Sequence, residues 1–211
     1  MHAVAYVASP PKQEIVLSYR SEVGPTVTHV RGGLVMSTLD YLKSAGHFDQ
    51  YVEALDPQYR DKVLFALAAS WLPVDVMMAH CAAIDRLKPT RAMQQEGGQS
   101  VGKQFGTLIY SALVKASKSV GNDFAWTVLK QSGRFMQRVY QGGGCTVIRT
   151  GPKDALIEMH GLPMVTSPCF RAAHQVYLGT LFRLTTTASY VKPAVPRERH
   201  PHCIATTFSW V

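Results

Sequence analysis

One change of rhythm divides this sequence. From Leu34 to Gln141 apolar residues recur at three- and four-residue steps, which gathers them on one side of a helix. After Gly142-Gly143-Gly144 they recur at every second residue, the spacing of a half-buried strand. Cys145 to Arg149, a Gly151-Pro152 turn and Ala155 to Met159 then read as a hairpin. A chain that lays down helices first and strands afterwards buries both by stacking an antiparallel sheet on helices. The expected class is therefore α+β, with about four strands against several helices and an N-terminal helical subdomain.

Ile15-Val16-Leu17 and Val27-Thr28-His29-Val30 are β-branched and set off by Gly24-Pro25 and Gly32-Gly33, which predicts one or two short strands ahead of the helices. Leu34 to Leu42 form a helix that Gly46 stops, and Phe48 to Leu55 form a second. Asp56-Pro57 opens a third, because the aspartate accepts a bond from a free backbone N–H and proline at the first helical position gives up none. Leu64, Leu67, Ala68 and Trp71 continue its apolar face. Pro73 starts a fourth helix, and Pro89 ends it. The polar stretch from Thr90 to Gly98, with its paired glycines, reads as a connection, and residues 102–118 and 122–141 as an antiparallel helix pair. Ser167-Pro168 opens the last helix, and strands at Ala188–Val195 and Ile204–Val211 close the chain. The expected organisation is an extension over residues 1–33, a helical subdomain over 34–98 and an α+β ligand-binding-like subdomain over 99–211, the last two forming one compact unit.

With 46% apolar residues against 17% charged, 211 residues close a substantial core. No stretch reaches the roughly 18 apolar residues of a membrane-spanning helix. The formal net charge of +8 is spread over single basic residues rather than blocks, so a nucleic-acid partner is not expected. Cys81, Cys145, Cys169 and Cys203 lie far apart, and residues 1–11 lack the basic start of a secretory leader, which points to a reducing, cytoplasmic setting.

Catalytic signatures are missing: there is no Gly-x-Ser-x-Gly elbow and no His-Glu-x-x-His pair. The three glycines 142–144 follow a helix and precede a strand, the reverse of a phosphate-binding loop, and read as a helix stop. The densest set of metal-ligand types is His200, His202 and Cys203, suited to zinc or iron, with His160, His174 or Cys169 as a fourth ligand; the competing reading is a polar turn before a buried strand cysteine. His174, beside Cys169 and Phe170 on the last helix, is either a haem ligand or sensing group or a core histidine, and His80 has the same two readings.

Leu55-Asp56-Pro57, Trp71-Leu72-Pro73, Gly102, Tyr140-Gln141-Gly142-Gly143, Gly179 and Phe208-Ser209-Trp210 resemble the joints of an uncharacterised myxobacterial paralogue family. That family is similar to the superfamily of 4-vinyl-reductase-type ligand domains, haem nitric-oxide-binding domains and small subunits of the Golgi transport tethering complex. The resemblance implies an antiparallel sheet against helices, an apolar internal cavity and dimer formation, and it implies no reaction. The expected function is a non-catalytic module, regulatory or signalling, that binds a small apolar molecule between the last helix and the sheet or docks a protein partner or a second copy. A metal- or haem-binding sensor and a structural adaptor are the alternatives. Facing helical stripes give Phe105, Ile109, Phe135, Val139, Phe170, His174 and Tyr177 as the expected lining.

Overall fold

A computed structural model describes residues 14–19, 26–117, 124–183, 186–192, 195–197 and 200–211. Strands β1 (Glu14–Tyr19) and β2 (His29–Arg31) precede four helices: α1 (Gly33–Ser44), α2 (Phe48–Ala54), α3 (Pro57–Leu64) and, after strand β3 (Trp71–Pro73), α4 (Val74–Arg86). The long α5 (Arg91–Ser117) is followed by α6 (Phe124–Leu129), α7 (Ser132–Val139) and strand β4 (Tyr140–Gln141). The hairpin β5 (Gly144–Gly151) and β6 (Asp154–His160) leads through a 3-10 turn to α8 (Pro168–Phe182), and β7 (Ser189–Val191), β8 (Val195–Arg197) and β9 (His200–Trp210) finish the chain.

The fold is α+β, and the sheet is larger than the sequence suggests. Among the described residues six antiparallel strands run in the order β1-β5-β6-β9-β7, with β8 also paired to β9. Period-two alternation puts Val147, Ala155, Ile157, Met159, Ile204 and Phe208 into the core. Rings join this sheet to the helices: Trp126 of α6 meets Trp210 edge-on at 5.0 Å, and Phe182 of α8 lies 5.0 Å from Phe208 and 5.4 Å from Trp210. A second sheet, β3-β2-β4, pairs Val30 with both Leu72 and Tyr140, so strands from both sides of the expected subdomain division share one ladder.

Local signals account for the joints. Asp56 accepts from the Gln58 N–H at 3.1 Å and starts α3. Ser167 caps α8 by accepting from the Phe170 N–H at 3.1 Å, and Asp85 at the end of α4 accepts from the Cys169 N–H at 2.9 Å, tying the two helices together. Gly142 and Gly143 take φ of +93° and +65°, a helix-to-strand turn rather than an anion cradle.

Three expectations fail. Residues 91–98 are not a connection but the first turns of α5, which crosses residue 98 unbroken. Of the span 122–141, the described residues 124–139 are two short helices broken at Lys130-Gln131, residues 140–141 are strand β4, and α5 packs against α8 and α1. The face drawn through Leu67 does not exist: α3 stops at Leu64, and Phe65 and Leu67 are 77% and 70% exposed. Serine 70 there bonds back to the Leu67 carbonyl, and the Ser70 and Ala68 carbonyls accept from the Gly32 and Gly33 N–H groups. Arg31 closes this corner, stacked 3.8 Å over Trp71 and donating to the carbonyls of Ala69 and Arg138.

Candidate functional site

Two cavities flank α8. The first lies among α1, α4, α5 and α8, has a volume of about 80 Å³ and is almost wholly apolar. Leu34, Thr38 and Tyr41 line it from α1, Met77, His80, Cys81 and Ile84 from α4, Met93, Gly97 and Gly98 from α5, and Phe170, His174 and Tyr177 from α8. The glycines set its size. A Cβ at Gly98 would stand 2.8 Å from the Val176 Cβ and 2.9 Å from the Ala173 carbonyl oxygen, and one at Gly102 2.8 Å from the Thr180 Cβ. Hydrogen at these positions lets α5 lie directly on α8.

Both histidines reach the cavity through helical spacing: His80 follows Met77 by three residues and precedes Ile84 by four, and His174 follows Phe170 by four and precedes Tyr177 by three. His174 stacks on Phe170 at 5.6 Å. The Nδ1 of His80 shares a 2.6 Å hydrogen bond with the Tyr51 hydroxyl of α2. Each ring is buried, and the Nε2 of each has no hydrogen-bond partner among the described residues. Burial pulls both imidazoles down to a pKa of about 4, so both are neutral near pH 7. Burial also pushes the Cys169 thiol up to about 12, with the Asp85 charge adding to it, and raises the Cys81 thiol by the same main cause. These thiols are unreactive, since the thiolate is the nucleophile. The two neutral imidazoles can each donate or accept a hydrogen bond, and neither Cys81 nor Cys169 is held as a thiolate.

The second cavity, of about 300 Å³, opens on the other side of α8, between α6, α7 and the sheet. Ile157, Phe208, Leu178, Leu181, Phe182 and Phe135 form its apolar part, and Gln131, Ser132, Arg134 and Arg138 its polar part. Phe135 on this side and Tyr177 on the other lie 5.9 Å apart, so the two rings form part of the wall between the cavities.

Of the lining expected from sequence, Phe170, His174 and Tyr177 face the first cavity and Phe135 the second. Val139 lines neither and is buried in the core at 1% exposure, while the Phe105 and Ile109 side chains lie outside the described residues. His202 and Cys203 are neighbours on β9, and successive strand residues point to opposite faces, so they do not converge on one ion; the His200 side chain lies outside the described residues. Among the described residues no group of three His, Cys, Asp or Glu side chains is placed to hold a metal. His160, offered as a further ligand, shares a 3.2 Å hydrogen bond with the Thr146 hydroxyl through its Nε2. Tyr41, Tyr51 and the Gly98-Gly102 face were not part of the expected site. Gly98-x-x-x-Gly102 carries the signal, since two glycines four apart on a helix mark a close neighbour.

No family model matches the chain, and no curated protein does. Among solved structures it is similar to a protein from work on modulating haem redox potential through protein-induced porphyrin distortion. The match has a TM-score of 0.50 at 12% identity and covers 85% of this chain and 99% of that one. The likeness is one of fold. No helix among the described residues is long and apolar enough to cross a membrane.

Proposed function

We propose that this chain is a non-catalytic small-molecule-binding module whose ligand lies among α1, α4, α5 and α8, held by His80 and His174. The observation that carries the reading is the pair of buried imidazole Nε2 atoms, unpartnered among the described residues, on an otherwise apolar cavity. A buried polar atom without a partner costs about 1–3 kcal/mol, and a ligand that completes both bonds recovers that cost. With each water occupying roughly 30 Å³, the cavity has room for a few heavy atoms. The ligand is therefore a small molecule with an apolar body and one or two hydrogen-bonding atoms. The raised thiol pKa values and neutral imidazoles support holding over reacting.

Haem is the second reading, favoured by the fold neighbour and by imidazole as an iron ligand. The residues present do not fit it. A cavity of about 150 Å³ takes one benzene ring, and this one measures about 80 Å³. A porphyrin is far larger than a benzene ring, so the first cavity as it stands does not hold one.

The test is a thermal-shift screen with alcohols, amides and nitriles of roughly two to five heavy atoms, a size set by the cavity. The expected result is a saturable rise in Tm for wild type that is lost in His80→Leu and His174→Leu. A rise of the same size in both variants, or none in wild type, contradicts the reading.

A further inference from the structure

The second cavity carries chemistry that the histidine-lined site does not use. Its volume, about 300 Å³, lies at the lower end of the range for small-molecule sites, nearly four times that of the first. Its floor is firm: Leu129, Ile157, Phe182 and Phe208 are each less than 7% exposed. Its polar side is basic. Arg134 and Arg138 are four residues apart on α7, which puts two positive charges on one helix face, an arrangement that repels. Both are exposed, and neither guanidinium meets a carboxylate among the described residues. Guanidinium binds carboxylate and phosphate oxygens in a bidentate fork, so a like-charged pair beside an apolar hollow is complementary to a molecule that is greasy at one end and anionic at the other.

We infer that this cavity binds an anionic amphiphile: an apolar chain or ring set on Ile157, Leu178, Phe182 and Phe208, ending in a carboxylate or phosphate held by Arg134 and Arg138. The site is separate from the imidazole cavity and stands on different residues, so either can fail without the other. The anion relieves the repulsion between the arginines, and the tail removes apolar surface from water. A neutral molecule of the same length gains only the second effect, and a cationic one loses by the first.

Wild-type protein is titrated with octanoate, octyl phosphate, octan-1-ol and octylammonium below their micelle concentrations. Binding is followed by calorimetry and by tryptophan fluorescence, since Trp210 lies 5.4 Å from Phe182 on the cavity wall. The expected order is an anion first, tighter than octanol by at least tenfold, with octylammonium weakest. The tighter of octanoate and octyl phosphate identifies the head group. Arg134→Gln/Arg138→Gln removes the advantage of the anion and leaves octanol binding unchanged. Arg134→Glu/Arg138→Glu makes octylammonium the preferred ligand, a gain that a misfolded variant cannot imitate. No binding of either anion by wild type, or an anion preference that survives both double substitutions, overturns the inference.

Discussion

Gly98→Ala inserts one methyl group where α5 and α8 are closest. The new Cβ would stand 2.8 Å from the Val176 Cβ, 2.9 Å from the Ala173 carbonyl oxygen and 3.1 Å from the Ala173 Cα. Two of these atoms are backbone and cannot rotate away, so the helices must separate. Overpacking of this kind costs about 1–3 kcal/mol, and replacing glycine by alanine inside a helix returns about 1 kcal/mol. With two contacts under 3.0 Å the cost belongs at the upper end, for a net loss of about 1–2 kcal/mol, or roughly 2–8 °C in Tm for a chain of this size. Its neighbour Gly97 is the control. There the nearest atom is the Tyr41 Cδ1 at 3.5 Å, ordinary contact, so Gly97→Ala stabilises by up to about 1 kcal/mol. Urea denaturation followed by circular dichroism measures both. Equal stabilisation by the two substitutions would refute the close approach of α5 to α8, and with it the small size of the first cavity.

The remaining predictions use the same cavity walls. Asp85→Ala removes the acceptor for the Cys169 N–H and costs about 1–3 kcal/mol, whereas Asp85→Asn retains an acceptor and costs less; equal urea midpoints for wild type and the alanine variant would remove the α4–α8 link. His80 and His174 have folded pKa values of about 4 against 6.5 unfolded, so the unfolded chain binds more protons between those limits. Their contribution is complete above pH 6.5 and falls away towards pH 4, by on the order of 3 kcal/mol each at the most, and His174→Phe flattens the profile; a variant as pH-sensitive as wild type counts against buried neutral imidazole. Stoichiometric haemin added to the protein gives no Soret band of bound haem; a sharp, saturable band shows that the four helices open further than the glycine contacts allow.

Much of the architecture was legible because local chemistry determined it. The hairpin, the Ser167-Pro168 start of α8 and the Asp56 cap each depend on residues a few positions apart, and each is present. What was lost depends on contacts distant in sequence. The stretch holding Gly97-Gly98 reads as a connection until Val176, 78 positions after Gly98, is seen to lie against Gly98. Leu67 reads as core by helical period, but α3 ends at Leu64 and the following backbone is engaged by Gly32 and Gly33. In the site, the stripe of α8 gave Phe170, His174 and Tyr177 together, since one helix face suffices for that. It could not show that His80 shares their cavity, because α4 and α8 are brought together by tertiary packing and by the Asp85 bond to Cys169. Nor could period alone distinguish the two sides of α8, which is why Phe135 and Tyr177 were grouped although they line different cavities.

Long-range proton–nitrogen NMR of the histidine rings addresses ligand binding at the imidazoles most directly. On saturation with the fragment that raises Tm most, the Nε2 resonances of His80 and His174 should move together while those of the half-buried His29 and His47 stay in place. Fixed His80 and His174 signals, with the fragment bound elsewhere, would mean that these two nitrogens hold nothing.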